Sequence, residues 1–144
     1  MIYTPTTEKA LKLMFEKHKN QIDKSGIPYV FHPFHVAESM DDEVSTTVAL
    51  LHDIVEDTDV TIEELSEMGF NKEVTDALQL MTHDKSVEYF EYIKIIATNP
   101  IARKVKISDL KHNSDLTRLS EITEKDLKRV EKYKKSIEYL EQYN

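Results

Sequence analysis

Val48-Ala49-Leu50-Leu51-His52-Asp53-Ile54-Val55-Glu56-Asp57-Thr58 is the stretch on which the fold turns. Six of its first eight residues are apolar and cover every side of a helical wheel, the pattern of a helix buried all round. A His-Asp pair nevertheless stands in the middle and a Glu-Asp pair ends it. Burying ionisable groups is costly unless they are paired, neutralised or bound to a metal, so four of them at the end of a core helix point to a site.

Working outward, the remaining elements also read as helices. Ala10, Leu11, Met14, Phe15 and His18 recur at helical spacing, predicting a first amphipathic helix from Thr7 to about Asn20. Gly26 and Pro28 force a loop over 23–29. Pro33 is placed to begin a helix through Ala37 and Met40. Asp41, Asp42 and Glu43 suit the negative first turn of the central helix, which is expected to run to about Val55. Thr61 and Glu64 have capping-box spacing for a helix to Met68, and Asn71 can cap the next, with Val74, Leu78 and Met81 inward. Ser86 to Thr98, a segment restarted by Asn99-Pro100 and including 105–110, and a final packing helix from Thr123 to Tyr143 complete an all-α bundle. In that last helix Leu127, Val130, Tyr133, Ile137 and Leu140 share one stripe.

Composition narrows the chemistry. At 144 residues one domain is expected, long enough to bury a core without disulfides. The chain has no cysteine, so any metal must be held by His, Asp, Glu or neutral oxygens. A formal charge of −8 opposes binding to nucleic acid or to an anionic membrane, and no apolar run approaches the roughly 20 residues that span a bilayer. The N-terminus lacks the layout of a signal peptide, so a soluble, cytoplasmic protein is expected.

His52 and Glu56, and Asp53 and Asp57, are each four residues apart, giving one acidic, imidazole-bearing surface. His32 and Asp109, each beside a turn or helix boundary, are candidates to complete a set of two nitrogen and two oxygen donors. Such a mixed set suits Mn²⁺, Fe²⁺ or Zn²⁺ better than Mg²⁺ or Ca²⁺.

Three blocks then resemble one family. Ser25-Gly26-Ile27-Pro28-Tyr29-Val30-Phe31-His32-Pro33, His52-Asp53-Ile54-Val55-Glu56-Asp57-Thr58 and Asp109-Leu110-Lys111-His112-Asn113 are similar to the S-G-x-P-Y-x-x-H-P, H-D-x-x-E-D-T and D-R-x-x-N motifs of HD-domain metal-dependent phosphohydrolases, specifically the hydrolase domain of RelA/SpoT-type alarmone enzymes. The blocks occur in the family's order and cover most of residues 7–118. The resemblance implies an all-helical HD fold, Mn²⁺ held by His32, His52, Asp53 and Asp109, Glu56 and Asp57 as the catalytic pair that orients and activates water, and Asn113 in contact with substrate. The implied reaction removes the 3′-pyrophosphate of guanosine tetra- or pentaphosphate. The length remaining leaves no room for a synthetase domain, so a small stand-alone hydrolase is expected.

Three positions depart from the family pattern. Asp23 stands where the resemblance implies an arginine that packs on the base, and Leu110 replaces the arginine of the D-R pair; Ile27 also replaces an acidic residue before the loop proline. Metal chemistry is therefore expected to be intact and substrate selection altered, which keeps another nucleotide or dinucleotide phosphate as an alternative substrate. A metal- or nucleotide-binding module without turnover is the alternative of another class, and the retained Glu56-Asp57 pair speaks against it. Lys24, in the matched loop, is the best candidate to draw in a phosphate, ahead of Lys106, Arg103 and Lys104. His35 reads as exposed, His18 as either packing or orienting, His83 as a surface residue, and His112 as approaching the substrate.

Overall fold

The computed structural model describes residues 1–143. Thr4 opens helix α1 (Pro5–His18): its hydroxyl accepts from the Thr7 N–H while the Thr7 hydroxyl accepts from the Thr4 N–H, and Pro5 loses no bond in the first turn. The helix thus starts earlier than its apolar spacing suggests. Helix α2 (Phe31–Glu38) places His32 and Pro33 in its first turn. Helix α3 (Glu43–Leu51) is capped by Asp42, whose carboxylate accepts from the Ser45 N–H at 2.8 Å.

The expectation of one helix running to Val55 is corrected here. Helix α3 stops at Leu51, and a four-residue helix, α4 (Ile54–Asp57), restarts after a turn at His52-Asp53. Asp53 lies at φ −104°, ψ 1°, outside helical values, so the chain changes direction at the His-Asp pair. Apolar residues continue through the break because α3 and Ile54 at the start of α4 are buried, which is why periodicity alone reads them as one element.

Five further helices follow: α5 (Ile62–Glu67), α6 (Lys72–Met81), α7 (Tyr89–Ala97), α8 (Pro100–Asn113) and α9 (Glu124–Glu141), with a 3₁₀ turn at Leu116–Arg118. Their caps are the expected ones for α5 (the Thr61–Glu64 box), α6 (Asn71) and α8 (Asn99), and Thr123 caps α9. Residues 105–110 are helical within α8, as expected. Helix α7 begins at Tyr89 rather than Ser86, because the Asp84 carboxylate accepts from the Ser86 N–H and hydroxyl and holds 84–87 as a turn. Among the described residues there is no strand, only an isolated bridge between Ile22 and Pro28 that closes the loop before α2.

Helix α3 is the hub. Its residues Ser45 to Leu51 are all buried, and it packs against α1, α2, α6 and α8. Val48, Ala49, Leu50 and Leu51 expose nothing, and burying a leucine side chain contributes about 1.5–3 kcal/mol. Phe15 and Leu127, expected on inward stripes, lie on the surface instead. Among the described residues no helix is long and apolar enough to cross a membrane.

Candidate functional site

Three elements converge at the break after α3. Helix α2 delivers His32, the α3–α4 turn delivers His52 and Asp53, and α8 delivers Asp109. One donor atom each from His32, His52 and Asp109 lies within 4.8 Å of the others, and all three residues are buried. His32 Nε2 is 2.9 Å from Asp109 Oδ1, and His52 Nε2 is 3.5 Å from the same oxygen and 3.2 Å from Asp53 Oδ2. Asp53 therefore borders the trio through His52.

The backs of these groups are fixed. His52 Nδ1 donates to the Ala49 carbonyl at 2.6 Å, which directs Nε2 to the centre, where it is buried without a hydrogen-bond partner. Asp109 Oδ2 accepts from Lys106 Nζ at 2.9 Å, and its Oδ1 accepts from the Asn113 amide at 3.0 Å. The Tyr29 hydroxyl donates to Asp53 Oδ2. Behind Tyr29, the buried His18 faces Gln21 Oε1 at 3.0 Å and leaves its Nε2 unpartnered. An orphaned imidazole nitrogen converging with carboxylates is a donor set that a divalent transition ion satisfies.

Charge is concentrated accordingly. Burial acts against ionising His52, but Asp53 and Asp109 outweigh it and raise the imidazole well above its usual range. Burial likewise opposes the Asp53 and Asp109 carboxylates; His52 brings Asp53 down to about 2, and Lys106, followed by the histidines, holds Asp109 well below the usual range. Asp57 moves the other way: burial, then Asp53 and Glu56, push it up to about 6.

Glu56 and Asp57 sit on α4, outside the trio, at the edge of the site and only partly open to solvent. Glu56 accepts from the His83 N–H, which ties α4 to the 82–87 turn. His83 is thus more than a surface residue: its ring also stacks on Tyr92 at 4.3 Å and faces the Val87 carbonyl. Lys106, one of the phosphate candidates, is excluded from that role, because its ammonium is enclosed with Asp109 and its side chain is only 14% exposed. Lys104 pairs with Asp41 and Asp42, and Arg103 with the Ala97 carbonyl. Lys24 and Asn113 line a 340 Å³ cleft with Tyr29, Arg118, Arg129 and Tyr133. Arg118, Arg129 and Tyr133 carry no local motif; only the fold brings them to this cleft.

No protein-family model matches the chain. It is 35% identical over 116 residues to the guanosine-3′,5′-bis(diphosphate) 3′-pyrophosphohydrolase MESH1 of Homo sapiens, covering 71% of this chain and 64% of the human protein. It is 34% identical over 114 residues to the guanosine-3′,5′-bis(diphosphate) 3′-pyrophosphohydrolase of Aquifex aeolicus (strain VF5), covering 71% of this chain and 16% of that one. A solved structure, described as a metazoan ortholog of SpoT that hydrolyzes ppGpp and plays a role in starvation responses, matches all of this chain and 90% of its own with a TM-score of 0.78 at 26% identity. The chain is a homologue of the RelA/SpoT-type hydrolases. It spans less than two thirds of the curated relatives, 64% of the human protein and 16% of the Aquifex one.

In this RelA/SpoT homologue two of the departures, Asp23 and Leu110, have structural occupations. Asp23 Oδ1 accepts from the Ser25 and Ile27 N–H groups at 2.8 and 3.0 Å, ordering the loop, while Oδ2 pairs with Arg118 Nη2 at 3.3 Å. A guanidinium therefore still reaches this wall of the cleft, but from the 3₁₀ turn after α8. Leu110 is 1% exposed and belongs to the core, so it offers the cleft nothing.

Proposed function

We propose that this protein is a Mn²⁺-dependent phosphohydrolase that removes the 3′-pyrophosphate from guanosine tetra- or pentaphosphate, with His32, His52, Asp53 and Asp109 as metal ligands. The observation that carries the reading is the buried His52 Nε2, fixed from behind, left unpartnered, and turned toward Asp53 and Asp109 beside a cleft bearing cations. A divalent ion held there supplies Lewis-acid charge and lowers the pKa of water at the site.

The chain's own groups account for the remainder. Asp57, raised to about 6, takes the proton of the attacking water near neutral pH, and Glu56 orients that water from the same short helix. As the water oxygen bonds to phosphorus, the bond from phosphorus to the 3′ oxygen breaks, and that oxygen leaves as a hydroxyl once the proton taken by Asp57 is returned to it by way of solvent. Lys24, with Arg118 and Arg129, neutralises phosphate charge in a protein of net charge −8. Asn113 keeps one amide hydrogen and its oxygen for the nucleotide while the other hydrogen holds Asp109. A second reading, hydrolysis of another nucleotide or dinucleotide phosphate, is favoured by the rebuilt wall at Asp23 and Arg118.

Pyrophosphate release from guanosine tetraphosphate, with and without Mn²⁺, tests the proposal. Metal-dependent release that the Glu56→Gln variant loses, at unchanged Mn²⁺ content, is the expected result. No release from folded, metal-loaded protein, together with turnover of a different nucleotide in a panel, would replace the first reading by the second.

A further inference from the structure

His112 was expected to approach substrate, but the structure turns its ring toward His32. The two Nδ1 atoms are 2.7 Å apart, the rings are within 8° of parallel, and their centroids are 5.0 Å apart. That separation is what a head-on approach through both nitrogens requires, so the rings lie edge to edge in nearly one plane, joined by an in-plane hydrogen bond. Such a bond holds one proton: one ring donates and the other accepts.

The other nitrogen of His32 decides which. Nε2 is the atom that faces Asp109 and takes part in the trio of donors. A neutral imidazole that ligates through Nε2 carries its proton on Nδ1 and donates it to a group behind. For His52 the group behind is the Ala49 carbonyl, which can only accept. For His32 it is His112, which accepts only in the tautomer protonated on Nε2.

We propose that His112 is a positioning residue: its Nδ1 accepts the His32 Nδ1–H and so holds His32 in the tautomer that binds metal through Nε2. His112 is itself held in place. Arg118 Nη1 donates to its backbone carbonyl at 3.0 Å, and the His35 ring lies across it at 4.0 Å and 26°. In the opposite arrangement His112 donates, and His32 Nε2–H donates to Asp109 and withdraws the ligand lone pair. The two histidine ligands are thus backed differently, one by an obligate acceptor and one by a partner whose tautomer must match.

This inference rests on the metal site proposed above, and the test separates the two. Mn²⁺ dissociation constants are measured by electron paramagnetic resonance titration for the wild-type protein, His112→Phe and His112→Asn, with melting of each metal-free protein as a check on folding. Phe keeps a ring to pack on His35 but cannot accept, whereas the Asn oxygen can stand near the Nδ1 position. Outer-shell partners of ligating histidines are worth about 10–100-fold in metal affinity, so His112→Phe is expected to weaken Mn²⁺ binding by about that factor and His112→Asn by no more than about threefold. Phe binding as tightly as wild type, or Phe and Asn weakened alike, overturns the role of His112. Should Phe fail to fold, His112→Leu replaces it with the same expectations. A wild-type protein that binds no Mn²⁺ overturns the metal site itself.

Discussion

Asp53 and Asp57 stand four residues apart, yet their carboxyls are driven in opposite directions, to about 2 and about 6. The difference lies in partners: Asp53 has His52 and the Tyr29 hydroxyl, whereas Asp57 has burial and two neighbouring carboxylates. A raised carboxyl pKa means the folded state holds its proton longer than the unfolded chain. Stability from Asp57 therefore falls as pH rises from the unfolded value near 4 to about 6 and stays lower above it. In metal-free protein, Asp57→Asn should raise the melting temperature by about 3 °C at pH 7.5 and leave it nearly unchanged below pH 4. Thermal melts in a chelator read this directly. A variant that melts lower than wild type at pH 7.5 would show that Asp57 has a stabilising partner.

At the scale of elements, α8 carries the support for one candidate ligand along one stripe. Lys106 and Asn113 flank Asp109 at spacings of three and four residues, and each holds one of its oxygens. Removing one partner of an enclosed ion pair leaves an uncompensated charge, so Lys106→Ala should cost about 3–5 kcal/mol in urea unfolding. A loss below 1 kcal/mol would mean that water takes the place of the ammonium. Much of this level was legible in the sequence, because caps are local: Thr61 with Glu64, Asn71, and Asn99 before Pro100 each act within three residues. The break at His52-Asp53 was not legible, since nothing in an apolar run distinguishes one buried helix from two joined by a turn. Lys106 was misread for the same reason, as a lysine's fate depends on what packs over it.

Across the whole molecule, the candidate ligands could be read from the sequence because their motifs are short and ordered. His32, His52 and Asp109 do meet. The cleft was legible only at Lys24 and Asn113; Arg118 reaches it through a pairing with Asp23 across 95 positions. Within the proposed function, Arg118→Ala should raise KM for the nucleotide about tenfold, the worth of a charge-assisted bond, and weaken Mn²⁺ binding by less than His112→Phe does, because it loosens His112 without removing its acceptor nitrogen. Steady-state kinetics beside metal titration would check both, and an unchanged KM would remove Arg118 from recognition.

The clasp between the 23–25 loop and Arg118 also bears on the order in which the protein is made. The Ser25 hydroxyl donates to the Arg118 carbonyl, 93 positions away, and the Asp23 pair spans 95. Contacts so distant form only after most of the intervening chain has been drawn in, whereas α1, α2 and α3 are consecutive and pack together early. On the ribosome, the 23–25 loop cannot meet Arg118 until residue 118 has emerged, so this wall of the cleft is completed only after α1, α2 and α3 have been made.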